Sequence, residues 1–405
     1  MTIGVQAFRG GRLKQARLAR GLYKNALADM VGITGTAITR YEEGMDRPQH
    51  DRLVAMANQL NFPVDFFLQP EWTETPEVIF WRSRAAETKL AREMTQQRMV
   101  WSCEVFSFFE REVDFPSMKL PNVGIPPDFR QLTPELIERS AEKLREAWRL
   151  WDHPIPDVTL ALENAGIPVV HLEVASDKQD GFCFRSSQLD RLFVGINTYN
   201  VSAARGRYDA AHELGHAVLH RQVTLQQSRD PALHKLIEQQ AHRFAGAVLF
   251  PRAAFRHEVG AVTLDYFCSL KKRWGMSIGA MIYRAFNLDM IDDEERGVLY
   301  RKLTRRRWRG PLQEPFDNPR DMPLERPRML RRGLEVMLAE GVHPRSTIQA
   351  ALSLPERELE QIIGLDIGFF RSSEVTPLVV TKRPSVGARD LESGEVIQFA
   401  KHLRN

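Results

Sequence analysis

One stretch of this 405-residue chain has residue types and spacing suited to hydrolysis: His212-Glu213-Leu214-Gly215-His216. On a helix, positions i and i+4 point the same way, so both imidazoles can reach one metal ion while Glu213 faces a water bound to it. Zinc lowers the pKa of such a water toward ~7, and a carboxylate beside it can take the proton as the water attacks a carbonyl carbon. The pattern predicts metal-assisted peptide hydrolysis, with His212 and His216 as ligands and Glu213 as general base. Two ordinary helix-surface histidines are the plain alternative. Glu238 argues against it. It lies at the edge of a stripe formed by Ile237, Ala241, Phe244, Ala245 and Val248 at helical spacing, which suits a third ligand presented by a second helix. Two His, one Glu and an open fourth position is the layout of a catalytic zinc site.

Longer segments around these residues are similar to a known family. Arg207 to His220, Glu238 to Ala245 and Leu249-Phe250-Pro251 resemble the ImmA/IrrE-type metallopeptidases, in the larger form that carries an N-terminal helix-turn-helix. Trp148-Arg149-Leu150, Pro154-Ile155-Pro156 and Glu325-Arg326-Pro327 look family-like as well, so the resemblance covers nearly the whole chain. It implies that His212, His216 and Glu238 hold Zn2+ and that Glu213 is the base. His242 departs from the family, which often has Asn or Asp there; it is read as a group orienting a ligand, or as an extra ligand. His220, one turn beyond His216, reads first as a positive ring meeting the dipole at the helix end, and second as a group on the metal-facing side. Cys103, Cys183 and Cys268 have no Cys-x-x-Cys spacing and read as core thiols.

The elements that must position these groups are legible in part. Tyr208, Ala211, Leu214, Gly215, Val218 and Leu219 recur at three- and four-residue steps with no proline from 201 to 220, which predicts a helix. Upstream, Thr133-Pro134 starts a helix reaching Trp151, and another runs from Pro156 to Ala165. Ile167 to Leu172, Gly181 to Phe184 and Arg191 to Asn197 read as strands of a small sheet, with His171 as a sheet residue. Downstream of Pro251 the chain is mostly helical. Tyr283, in a segment resembling the one that follows the peptidase core, is a candidate transition-state donor. The basic run from Arg301 to Arg309 reads as a solvated face, with nucleic acid or an acidic partner as the sharper idea. Leu378-Val379-Val380 is a possible strand before a polar tail.

A second signal lies between Phe8 and Pro70. Leu13, Ala16, Leu27, Ala28, Val31, Ile33, Ile38, Tyr41, Leu53, Met56, Ala57 and Leu60 keep helical periodicity across short helices broken at Gly21, Gly32 and Gly44. Gly32-Ile33-Thr34 reads as a turn, with Gly32 left-handed after one helix and Thr34 capping the next. That next helix, Thr34 to Glu42, would be a recognition helix in a major groove. Leu27-Ala28, Gly32-Ile33-Thr34, Ile38 to Glu42 and Gly44 resemble the lambda-repressor-like, XRE-type module. Thr34, Thr36, Thr39 and Arg40 are the base-side candidates; Arg17, Arg20 and Lys24 belong to an acid-free amino-terminal run suited to phosphates. Tyr23-Lys24 and Gly35 depart from the module, so the operator sequence is not read.

Composition bounds the rest. With 43% hydrophobic residues the chain can build several cores, and a net charge of +4 is mild. No apolar run approaches the ~20 residues of a membrane span, and no signal-peptide core follows the first charges. A cytoplasmic protein is expected, in keeping with three unpaired-looking cysteines. The expected class is α+β and mostly helical: a helix-turn-helix bundle over 1–70, a helical connector over 71–131, a zinc-peptidase-like domain with a small sheet over 132–260, and a helical region over 261–405. The long connector helix, from Arg84 to Arg111, is expected to aid dimerisation. Expected partners are a double-stranded DNA operator bound by a homodimer and, by resemblance, a helix-turn-helix repressor cut to relieve repression under stress, phage or mobile-element cues. A transcription factor whose zinc domain senses a ligand and cleaves nothing is the alternative.

Overall fold

A computed structural model describes residues 4–72, 79–83, 89–173 and 179–371. The possible strand at Leu378-Val379-Val380 and the first residues of the expected connector helix lie outside this set. Four helices open the chain: α1 (Gly10–Ala19), α2 (Lys24–Val31), α3 (Gly35–Glu42) and α4 (His50–Leu60). Gly32 closes α2 with φ 66°, and the Thr34 hydroxyl caps α3 by accepting from the Ala37 amide at 3.2 Å. The turn between α2 and α3 therefore has the chemistry its sequence encodes.

Then follow β1 (Ile79–Ser83), α5 (Lys89–Glu110), α6 (Pro134–Ala147), α7 (Val158–Asn164), β2 (Val169–Leu172), β3 (Gln179–Ser186), β4 (Arg191–Asn197), α8 (Ala203–Leu219), α9 (Leu225–Arg229) and α10 (Pro231–Leu249). The described residues that follow, up to 371, carry only helices: α11 (Arg252–Glu258), α12 (Leu264–Trp274), α13 (Ile278–Asn287), α14 (Asp293–Arg305), α15 (Met329–Ala339), α16 (Arg345–Leu352) and α17 (Glu356–Ile363). The strands form one sheet in the order β1-β3-β4-β2, antiparallel except for the parallel β2–β4 pair. Sequence reasoning left β1 inside the connector.

The sheet divides two cores, because side chains alternate across it. Val169, Cys183, Leu192, Val194 and Ile196 face the core that contains α8 and α10. Val170, Leu172, Phe182, Phe184 and Phe193 join the core shared by the amino-terminal bundle, α5 and the carboxy-terminal helices. The first core runs from Val123 to Leu303, across the boundary expected at residue 260. In the second, α5 is a spine: Trp101 meets Phe62 and Phe66 of the bundle at 5.6 and 5.9 Å, and Phe106 meets Phe193 of the sheet at 5.5 Å. Its aromatic face is spent within the chain, at roughly 1.5–3 kcal/mol per buried side chain, the packing role that Trp101, Phe106 and Phe109 carry in the sequence.

Candidate metal centre and DNA-reading surface

α8 begins where Ser202 accepts from the Arg205 amide at 3.3 Å, and no proline interrupts it before Leu219. Its amino end is clamped by Arg207, which donates to the carbonyl of Ile155 at 2.6 Å and pairs with Glu325. Glu325 also accepts from the Val158 and Thr159 amides, both at 2.9 Å. Segments that looked family-like but lie far apart in sequence thus meet around one guanidinium.

α10 crosses α8 closely because residue 215 is glycine: a Cβ there would stand 3.2 Å from both Cα and O of Ala241. Asp230 caps α10, accepting from the Ala232 and Leu233 amides at 2.9 and 3.0 Å. The crossing brings three groups to one point. His212 Nε2 and His216 Nε2 are 3.1 Å apart, and each lies 3.3 Å from a different oxygen of Glu238. Ligands at ~2.0–2.1 Å around a tetrahedral zinc are separated by about 3.3–3.4 Å, so the donor set and its spacing fit one such ion. Burial opposes ionisation of Glu238, but hydrogen bonds from His212 and His216 outweigh it and hold the carboxyl well below its ordinary range.

Around the triad lie groups that orient it. His216 Nδ1 is 3.1 Å from His220 Nδ1, His220 Nε2 is 3.0 Å from Gln240 Oε1, and Gln240 Nε2 donates to the Phe129 carbonyl at 2.8 Å. Burial, with His216 alongside, pushes His220 down to about 3. The ring is therefore neutral, and the expectation of a positive ring on the helix dipole is corrected. Ligand atoms of His212, Glu238 and His242 lie within 4.8 Å of one another, which puts His242 in reach of the same ion. The tighter spacing belongs to His212, His216 and Glu238. His242 is held by Tyr208, whose hydroxyl donates to the His242 carbonyl at 3.1 Å and lies 3.3 Å from its Nδ1. Sequence reasoning missed Tyr208 and Gln240 as site residues. Tyr208 stands one turn before His212, a spacing that carried the signal. Tyr283 instead lies beside Phe286 and under Arg296.

Glu213 is fully buried on the sheet side of α8. A Cβ at Gly181 of β3 would come within 3.1 Å of Glu213 Oε1. Burial raises the Cys183 thiol well above its ordinary value, with Glu213 adding to the effect.

In the amino-terminal bundle, Thr34, Thr36 and Arg40 are exposed and Thr39 is partly so. Lys24 donates to Thr39 Oγ1 at 3.1 Å, joining the start of α2 to the exposed side of α3. Arg40 pairs with Asp46 at 2.5 Å in solvent. Tyr23, at the cap of α2, is 68% exposed. Arg17 is different. It is 5% exposed, binds Glu42 through Nε at 2.5 Å and Nη2 at 2.9 Å, and donates to the Leu22 carbonyl at 2.7 Å. Turning it outward would leave Glu42 buried and unpaired, so the phosphate role expected for Arg17 is corrected to a structural one. Arg20 is likewise engaged, with Glu358 of α17 at 2.7 Å.

Residues 13–67 match the family profile described as helix-turn-helix, and residues 162–286 match Peptidase M78, the IrrE N-terminal-like domain. Two uncharacterised HTH-type transcriptional regulators, from Rickettsia conorii and Rickettsia prowazekii, are similar as well. Each is 31% identical over 65 residues, 16% of this chain and 52% and 50% of theirs. The chain spans about half the length of the curated relatives it matches.

Proposed function

We propose that this chain, in which an XRE-type helix-turn-helix domain is joined to an IrrE/ImmA-like M78 domain, is a DNA-binding regulator carrying a zinc-dependent endopeptidase. The observation that carries the reading is the triangle of His212, His216 and Glu238 at 3.1–3.3 Å with Glu213 beside it on the same helix. Zinc held there by His212, His216 and Glu238 would supply Lewis acidity toward a peptide carbonyl and an attacking water. The Glu213 carboxylate would accept a proton on the attacking side and hand it to the leaving amine. His220 and Gln240 fix the His216 ring; Tyr208 fixes His242. Burial of Glu213 and both histidines keeps bulk water away from the base. The exposed side of α3 reads a two-fold operator as half of a homodimer.

The proposed substrate is a helix-turn-helix repressor, a separate protein or this chain's own segment between 71 and 131, and cutting it relieves repression. Digestion of candidate repressors by the wild type and by Glu213→Gln tests this. Cleavage by the first and none by the second is expected, with operator binding equal in both; no fragment from any candidate would refute it. The sensor reading draws support from a cavity of about 1060 Å³ lined by Arg207 of α8, Lys272, Arg328 and Arg332. Under that reading Glu213→Gln would switch a reporter gene normally.

A further inference from the structure

β3 is the strand that meets the candidate base, through Gly181 against Glu213. Its other edge carries β1, from the segment between the helix-turn-helix bundle and α5. Pairing is regular from Ile79↔Phe184 through Phe80↔Cys183 to Trp81↔Phe182, then shifts so that Ser83 faces Gln179. Asp180 and Gly181 therefore stand opposite the single residue Arg82. This is a bulge in β3, placed at the residue that abuts Glu213.

A peptide to be cut beside Glu213 must bring extended backbone there. An open strand edge, with its row of N–H and C=O groups, is the surface that accepts extended backbone. Here the chain fills that edge itself. We propose that residues 79–83 are an internal plug, a strand that occupies the docking edge for substrate backbone and must leave before an unfolded polypeptide segment can add to β3. The inference rests on the peptidase reading for the nature of the incoming segment, whereas the competition between β1 and that segment does not depend on catalysis. The bulge favours a plug over a strand poised for cutting, because it interrupts the ladder at a residue that abuts the base.

The test uses the full chain in a Glu213→Gln background, with fluorescein-labelled β-casein, an unfolded protein, as probe. One variant replaces residues 79–83 with Gly-Ser-Gly-Ser-Gly. A milder one combines Phe80→Pro with Trp81→Pro; consecutive strand amides point to opposite edges, so one of the two prolines removes a ladder donor in either register. Both variants should bind casein at least ten-fold more tightly by fluorescence anisotropy, with zinc content and circular dichroism unchanged. Among amides 182–184, those that donate toward β1 should lose hydrogen-exchange protection in the variants and regain it when casein binds, while those that donate toward β4 keep it. Unchanged casein binding in both variants overturns the plug. So does cleavage of the wild type within 79–83, which would make the strand a substrate. If plug variants with Glu213 intact bind casein tightly and cut neither it nor any candidate repressor, the peptidase reading fails and the plug stands. If the wild type cuts casein and the plug variants neither bind nor cut it better, the plug fails and the peptidase reading stands.

Discussion

The histidines of α8 and the arginines of the amino-terminal bundle are both polar groups carried on helices, and both lie largely out of solvent. They differ in what chooses their partners. His212 and His216 are neighbours because the helix repeats, so their 3.1 Å approach is encoded locally. Arg12, Arg17 and Arg20 reach partners 92, 25 and 338 residues away in Glu104, Glu42 and Glu358. A short ring on a regular helix declares its site; a long guanidinium takes whatever acid the tertiary fold offers.

Breaking the Arg17–Glu42 pair should have the largest effect on stability. Arg17→Ala leaves a buried carboxylate unpaired and should cost about 3–5 kcal/mol, read as a shift in the denaturant midpoint of the bundle, while Lys24→Ala should cost far less. A loss from Arg17→Ala below about 1 kcal/mol would place Arg17 back among the phosphate contacts.

The same contrast explains what was legible. The α8 helix, Glu238, the Gly32 to Thr34 turn and three of the four strands among the described residues rest on spacing, capping and alternation, all local. β1 was hidden because Ile79-Phe80-Trp81-Arg82-Ser83 shows no alternation and pairs with residues a hundred positions later. The aromatic face of α5 was visible, but not what would cover it. Arg17 was misread because charge composition cannot tell a solvent-facing cation from one turned inward. Gln240 gave no signal, since its role depends on α10 lying against His220.

Sharpening the comparison at the metal side, His220→Phe or Gln240→Leu should weaken zinc binding about 10–100-fold with the ligands intact, measured by chelator competition. Unaltered affinity would reduce both residues to packing. On the DNA side, Thr36→Ala should cost roughly 1–3 kcal/mol of discrimination between operator and random sequence. Lys24→Gln should instead weaken all sequences alike and flatten the salt dependence. Binding titrations at several salt concentrations separate the two; equal losses on operator and random DNA for Thr36→Ala would remove it from the reading face.

The central claim is that α8 and α10 together hold one ion ready beside a base. Elemental analysis of the purified protein tests it most directly. About one zinc per chain is expected in the wild type and in Glu213→Gln, and almost none in His212→Ala with His216→Ala. Full zinc in that double variant would contradict the account.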